Sequence, residues 1–529
     1  MPRKYLLPIL LLFVLVSSYL VIKNVSFGPV TPPEISKYEK DWPTANQNLS
    51  NTRSTSSSSI NLNNVSKLGP AWTFPIKGIS EWGSAATNPL ILGNTVYFQD
   101  LKSNVYAVDA STGKQVWMKE YNQDVEGPSG VAVGYGKVFA AKGRYQVAAL
   151  DMNGNEVWSN TISTNQNVGI DIQPAVYGNQ VYISTVPGVS NLNFYKGGST
   201  GVIYALNEKT GKVDWSFNTV DTADIWGNKT VNSGGGAWYP PAFDTATGQI
   251  YWGIGNPAPW PGTKDFPNGT SRPGNNLYTN SVISLDRVTG KLNWYNQVKP
   301  HDLFDYDLQA SPILATLNID GTSTDVVFGG GKMGKVVAFE RSTGKKIWET
   351  KVGTHLNDDL TALPNGVTSV SPGPLGGIET PMAYSDGIVY AAVVDMTVQY
   401  TPTEFVANSF NLGSGRGELV AVDALSGRIL WTNKLDSLNV GAATVVNDLV
   451  FTSTYNGKIY AFNKKTGTGV WEYQAPGGIN AWPAVSGDTI IFPVGLGKTP
   501  MLVAFKVGGT LNVPGAAIIT SGVGKGFQQ

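Results

Sequence analysis

Short apolar runs alternate with polar turns along most of this chain, the pattern of strands joined by tight connections rather than of amphipathic helices. One unit recurs. An apolar strand is followed by a few polar residues, a Thr-Gly or Asn-Gly step, and a tryptophan four residues after the glycine. It reads as Ala107-Val-Asp-Ala-Ser-Thr-Gly113 with Trp117, as Ala149-Leu-Asp-Met-Asn-Gly154 with Trp158, and as Ala205-Leu-Asn-Glu-Lys-Thr-Gly211 with Trp215. Further copies place Gly290 before Trp294, Gly344 before Trp348, Gly427 before Trp431 and Gly467 before Trp471. Each copy predicts a hairpin: the glycine supplies the positive-φ residue of the turn, and the second strand carries an indole that packs between neighbouring sheets. Repeated hairpins of this kind predict an all-β propeller of four-stranded blades. An eighth blade is expected from the two ends, with Met501-Leu-Val-Ala-Phe505 completed by Ala71-Trp-Thr-Phe74, so that no sheet edge is left open. Thr247-Gly248 with Trp252 has the same spacing, but Pro240-Pro241 precedes it, so it reads as an inner hairpin.

The N-terminus departs from this pattern. Arg3 and Lys4 precede an uncharged run of 18 residues, Tyr5 to Ile22, which predicts a hydrophobic helix with its N-terminus inside and the rest of the chain outside the cytoplasm. Anchor and cleaved signal both remain open, giving a membrane-anchored or a secreted protein. The expected organisation is a signal or anchor over residues 1–23, a Ser/Thr/Asn/Pro-rich tether over 24–64, the propeller over 65–507 and a tail over 508–529. Sequons at Asn24, Asn48, Asn64, Asn228 and Asn268 are compatible with an exported surface.

Composition narrows the chemistry. Basic and acidic residues number 38 each, so there is no cationic excess for nucleic acid. Cysteine is absent, which removes disulfides, thiolate metal sites and covalently attached c-type haem. Any electrons the protein handles must leave to an external acceptor.

The repeat tryptophans are spaced unevenly: intervals of 79 residues, Trp215 to Trp294, and 83, Trp348 to Trp431, stand out and mark insertions on one face of the scaffold. The first holds Ser233-Gly-Gly-Gly-Ala-Trp238 and Gly255-Asn256-Pro-Ala-Pro-Trp260. Glycines beside Trp238 let backbone approach a flat ligand while the indole stacks on it, and Asn256 offers a carbonyl oxygen to a hard cation. Then comes Pro300-His-Asp-Leu-Phe-Asp305-Tyr-Asp307. In an extended strand Asp305 and Asp307 would share a face, where two carboxylates call for a cation or a shared proton, and one can act as general base. His301 is expected to fix this loop. Lys332, in Gly329-Gly-Gly-Lys332, can meet an anionic ligand, although a lysine in a turn is more often a surface residue.

These segments resemble the quinoprotein alcohol dehydrogenases over residues 65–507. The resemblance implies an eight-bladed propeller binding pyrroloquinoline quinone (PQQ) and a metal on its axis. It implies Trp238 as the floor under the quinone, Lys332 at its oxygens, Asn256 as a metal ligand and Asp305 as both metal ligand and base. Asp307 implies a further carboxylate of the kind found in lanthanide-using members, leaving Ca2+ and a lanthanide as alternatives. There are departures. No acidic residue lies between Asp171 and Glu208, where the family places a metal-binding glutamate; Ser129 stands in for an arginine near the cofactor, and Glu379-Thr380 for an Asn-Trp pair. The expectation is an exported PQQ dehydrogenase for an alcohol or sugar, passing electrons to a cytochrome, a blue copper protein or a membrane quinone. The alternative is a non-catalytic propeller that binds partners at the cell surface.

Overall fold

The computed structural model describes residues 30–125, 127–188, 197–319 and 321–518; the N-terminal hydrophobic run lies outside these. Among the described residues no helix is long and apolar enough to cross a membrane.

Eight antiparallel four-stranded blades follow one another around an axis. Blade 1 is Leu90–Leu92, Thr95–Gln99, Val105–Asp109 and Gln115–Lys119, ordered from the axis outward. Blade 4 contains Ala242–Phe243, Gln249–Gly253, Ser281–Asp286 and Leu292–Gln297, so the Thr247-Gly248 turn does belong to an inner hairpin. Blade 8 joins the ends of the chain: Leu68–Pro75 pairs antiparallel with Met501–Val507. Closure removes the free edge that an open ring of sheets would present.

The repeat tryptophans are girdle residues. Each donates its indole N–H to a carbonyl in the outer turn of the next blade: Trp72 to Ala110, Trp117 to Met152, Trp158 to Glu208, Trp215 to Arg287, Trp294 to Arg341, Trp348 to Ala424 and Trp431 to Lys464. Trp471 reaches Leu68 of blade 8 at 3.1 Å. The turn glycine is required twice over. At Gly344 φ is +72°, and a Cβ there would lie 2.3 Å from Cε3 of Trp294. Thus the glycine makes the turn and leaves room for the neighbouring blade's ring.

The expected tether over 24–64 is corrected where it is described. Residues 42–60 run across one end of the axis, bonded to the innermost strands: Leu49 O accepts from Phe243, Ser50 O from Leu314, Thr52 O from Tyr384 and Arg53 O from Val445. Arg53 is fully buried, and its guanidinium donates to the carbonyls of Ala443, Ala45 and Pro483 and to Thr444 Oγ1. Burial lowers its pKa to about 9. A polar composition reads as linker because it lacks apolar residues; here backbone hydrogen bonds and one buried guanidinium do the packing. Within this segment and beyond it, the amides of Asn48, Asn64 and Asn268 are engaged in internal hydrogen bonds.

Alternation of strand direction puts all blade-to-blade connections, and the turns between second and third strands, on one face. The insertions lie there. The first-to-second and third-to-fourth strand turns, including the Thr-Gly steps of the repeat, lie on the other face, at the end closed by residues 42–60.

Candidate active site

Trp238 lies in the connection from blade 3 to blade 4, Asn256 follows the second strand of blade 4, and Asp305 and Asp307 lie between blades 4 and 5. Lys332 sits at the turn after Thr322–Gly331 in blade 5. Separate connections therefore bring these residues to the axis.

Lys332 is the hub. Its Nζ lies 2.9 Å from Asp305 Oδ2 and 2.7 Å from Asp307 Oδ2, and 5.7 Å from the centre of a Trp238 ring. All three charged side chains are buried. Lys332 is thus no surface lysine, and the reason is local: Gly331 passes so close to the Asp307 backbone that a Cβ would fall 2.0 Å from its carbonyl oxygen. Asp307 Oδ1 also accepts from the backbone N–H of Asn256 at 2.6 Å. The side-chain amide of Asn256 donates to Pro257 O at 3.1 Å, leaving its carbonyl oxygen the group free to act as an acceptor.

The two aspartates converge by a different route from the one the sequence suggests. Asp305 has φ +67°, so the segment is a loop rather than an extended strand. The buried carboxylate of Asp302 folds it, accepting from Phe304 N at 2.8 Å and Tyr306 N at 2.6 Å. Arg272 holds the same loop through the Asp302 and Pro259 carbonyls, and the His301 ring meets Asn268 O at 3.2 Å, away from the Asp305–Lys332 pair.

Trp238 stands among glycines. A Cβ on Gly255 would lie 2.8 Å from its Nε1, and one on Gly236 would lie 3.3 Å away. That Nε1 is buried without a hydrogen-bond partner among the described residues. Behind it, Tyr239 packs against Trp482 at 5.8 Å and donates to the Glu379 carbonyl.

Sequence reasoning marked Glu379 only as a departure, yet it belongs to this site. Its Oε1 is buried with no hydrogen-bond partner among the described residues. Burial raises its pKa to about 8; the Lys332 ammonium pulls it down and Asp307 pushes it up. Burial likewise drives the Asp305 carboxyl well above the usual carboxylate range, against the pull of Lys332. The Lys332 ammonium is held well above its ordinary value, because Asp305, Asp307 and Glu379 outweigh its desolvation. Three carboxyl groups thus face one ammonium, and with Asp305 and Glu379 both shifted toward their protonated forms a further cation would enter by displacing a proton. Among the described residues no three His, Cys, Asp or Glu side chains cluster closely enough to form a metal site by themselves. Ser129 is buried in the connection between blades 1 and 2.

Comparison with known proteins agrees with this architecture. The sequence model of the PQQ glucose/ethanol/alcohol dehydrogenase β-propeller domain matches residues 42–142 and 137–354, more than half of the chain, and the protein belongs to that family. The model of the outer membrane protein assembly factor BamB matches residues 401–505. The chain is 28% identical over 491 residues to the quinoprotein alcohol dehydrogenase PedH of Pseudomonas putida, covering 80% of each chain. It is 26% identical to the lanthanide-dependent methanol dehydrogenase of Methylorubrum extorquens, covering 81% of this chain and 82% of that one. The crystal structure of quinohemoprotein alcohol dehydrogenase from Comamonas testosteroni superposes with a TM-score of 0.78 at 23% identity, over 91% of this chain and 82% of that one, and shows the shared fold.

Proposed function

We propose that the protein oxidises an alcohol or aldose, using PQQ as the electron acceptor with Ca2+ or a lanthanide ion, and works outside the cytoplasm. The observation that carries this reading is the Lys332 ammonium between Asp305 and Asp307, beside the Trp238 ring. The residues fit both groups. Trp238, flanked by glycines, offers a flat indole face on which a planar ring can stack. Asp305, Asp307 and the Asn256 carbonyl oxygen are hard donors of the kind that Ca2+ or a lanthanide ion takes.

When bound, the quinone supplies an electrophilic carbonyl that takes a hydride equivalent, and the ion supplies Lewis acidity. The chain's own residues do the rest. Trp238 orients the ring by stacking, and Lys332 meets anionic oxygen. Asp305, in its ionised form, accepts the substrate hydroxyl proton as the substrate carbon becomes a carbonyl. Burial holds the Asp305 carboxyl well above the usual carboxylate range despite the neighbouring ammonium, so loss of its proton has to precede its action as a base. With no haem attachment in the chain, reducing equivalents pass to a separate cytochrome, blue copper protein or membrane quinone.

A second reading, a propeller that binds partners without catalysis, is favoured by the acid-free stretch between Asp171 and Glu208. Titrating the purified protein with PQQ plus Ca2+ or La3+, while following cofactor absorbance and dye-linked alcohol oxidation, separates the two. Saturable binding with turnover supports the dehydrogenase; a folded protein that binds neither ion nor quinone supports the second reading.

A further inference from the structure

The described chain enters the propeller on the face opposite the candidate site. Val30 O accepts from Gly178 N at 2.6 Å and from Tyr135 Oη at 2.7 Å. The Glu34 carboxylate accepts from Tyr135 N and Gly136 N at 2.9 and 2.6 Å. Both contacts are to first-to-second strand turns, in blades 2 and 3. Only seven residues, Lys23 to Pro29, separate the uncharged run ending at Ile22 from Val30. Fully extended, a stretch of that length reaches at most about 25 Å.

That same face is cationic at its rim. In five of the Thr-Gly or Ser-Gly turns an exposed basic residue directly follows the glycine: Lys114, Lys212, Lys291, Lys345 and Arg428. The acidic side chains of three of these turns stay at the surface but are engaged locally: Asp109, Asp286 and Asp423 each accept from a hydroxyl of their own turn. On the neighbouring first-to-second strand turns Asp244 and Asp386 pair with Arg341 and Lys464. Val288 and Leu425, 64% and 48% exposed, lie at two turn tips among these cations. A ring of lysines and arginines interleaved with apolar tips complements an anionic lipid surface.

We propose that the face carrying the Thr-Gly turns lies against the membrane, so that the face bearing the candidate site points away from it. The inference rests on the reading of residues 5–22 as a retained anchor; the short connection and the basic rim then fix the orientation. An electron acceptor then approaches the site-bearing face from the aqueous side, as a water-soluble redox protein does, whereas a quinone dissolved in the bilayer is on the wrong face.

The chain has no cysteine, so single labels are clean. Val288→Cys marks the turn face, and Val367→Cys, at a residue 61% exposed in the connection between blades 5 and 6, marks the site face. The full-length variants are labelled with a fluorophore and reconstituted in anionic vesicles carrying a headgroup quencher, and flotation is measured alongside. The expected result is co-flotation with quenching at 288 several-fold stronger than at 367. Co-flotation with equal or stronger quenching at 367 overturns the orientation alone. Failure to float with the vesicles overturns the anchor and the orientation with it, while leaving the dehydrogenase reading untouched.

Discussion

A single methyl group at Gly255 tests whether the site works as an assembled unit. A Cβ there would lie 2.5 Å from Asp307 Oδ1, 2.8 Å from Trp238 Nε1 and 3.0 Å from the Gly236 carbonyl oxygen. Gly255 is not among the positive-φ glycines, so alanine meets no backbone penalty and the effect is steric. Ordinary carbon–oxygen contact is near 3.3 Å, so either Asp307 or the indole must retreat by roughly 0.5–1 Å. Asp307 is pinned by the Asn256 N–H and by Lys332, and Trp238 by its own glycine-lined bed, so neither yields freely. Overpacking of this kind costs about 1–3 kcal/mol. The methyl is remote from the interblade girdle, so the fold should survive. A misplacement of about 1 Å in a reacting constellation costs on the order of 100-fold in rate. The assay is dye-linked alcohol oxidation with PQQ and either ion, beside thermal unfolding of the same preparation. Gly255→Ala should unfold within a few degrees of the parent yet lose at least about 100-fold in kcat/KM. Parental turnover in a properly folded variant would refute the claim that Trp238 and Asp307 act as one packed unit.

Lys332→Met removes the ammonium from a buried charge cluster and should destabilise the apoprotein by about 3–5 kcal/mol at pH 8, measured by urea unfolding; a loss under about 1 kcal/mol would contradict the burial of both carboxylates. Glu379 has an ordinary value of 4.5 and a folded value raised to about 8, so the folded state holds its proton more tightly. Its contribution is therefore fully present below about pH 4.5 and is lost as pH rises through 8, at up to about 1.4 kcal/mol per pH unit. Glu379→Gln should flatten that part of the stability profile, and an unchanged slope would sink the assignment. Gly344→Ala forces a left-handed alanine against Trp294 and should cost about 2–4 kcal/mol, with the Trp294–Arg341 bond lost; calorimetry showing no shift would count against the girdle.

The fold was legible because its signal repeats. Seven Gly-to-Trp spacings, and an eighth blade assembled from Met501–Phe505 and Ala71–Phe74, carry local turn chemistry and packing in the same short unit. The site was legible residue by residue but not in its arrangement. Trp238, Asn256, the Asp305–Asp307 pair and Lys332 come from four separate connections of blades 3 to 5, and only the packing of these blades side by side brings them together. Hence Lys332 resembled a surface lysine until the Gly331–Asp307 contact showed how it is drawn inward. Glu379 carried a signal, a carboxyl beside Gly376-Gly377, but nothing local tells that its Oε1 is buried near Lys332. Residues 42–60 were misread because sequence hydropathy registers apolar burial and misses a strand-like segment satisfied by backbone hydrogen bonds.

The most direct test of the central claim is to measure bound PQQ and bound ion by equilibrium dialysis, together with turnover, for the parent and Asp305→Ala. One quinone and one Ca2+ or lanthanide ion per chain are expected, with alcohol oxidation by the parent and turnover reduced at least about 1,000-fold in the variant. Undiminished oxidation by Asp305→Ala, or a parent that binds neither group while fully folded, would contradict that claim.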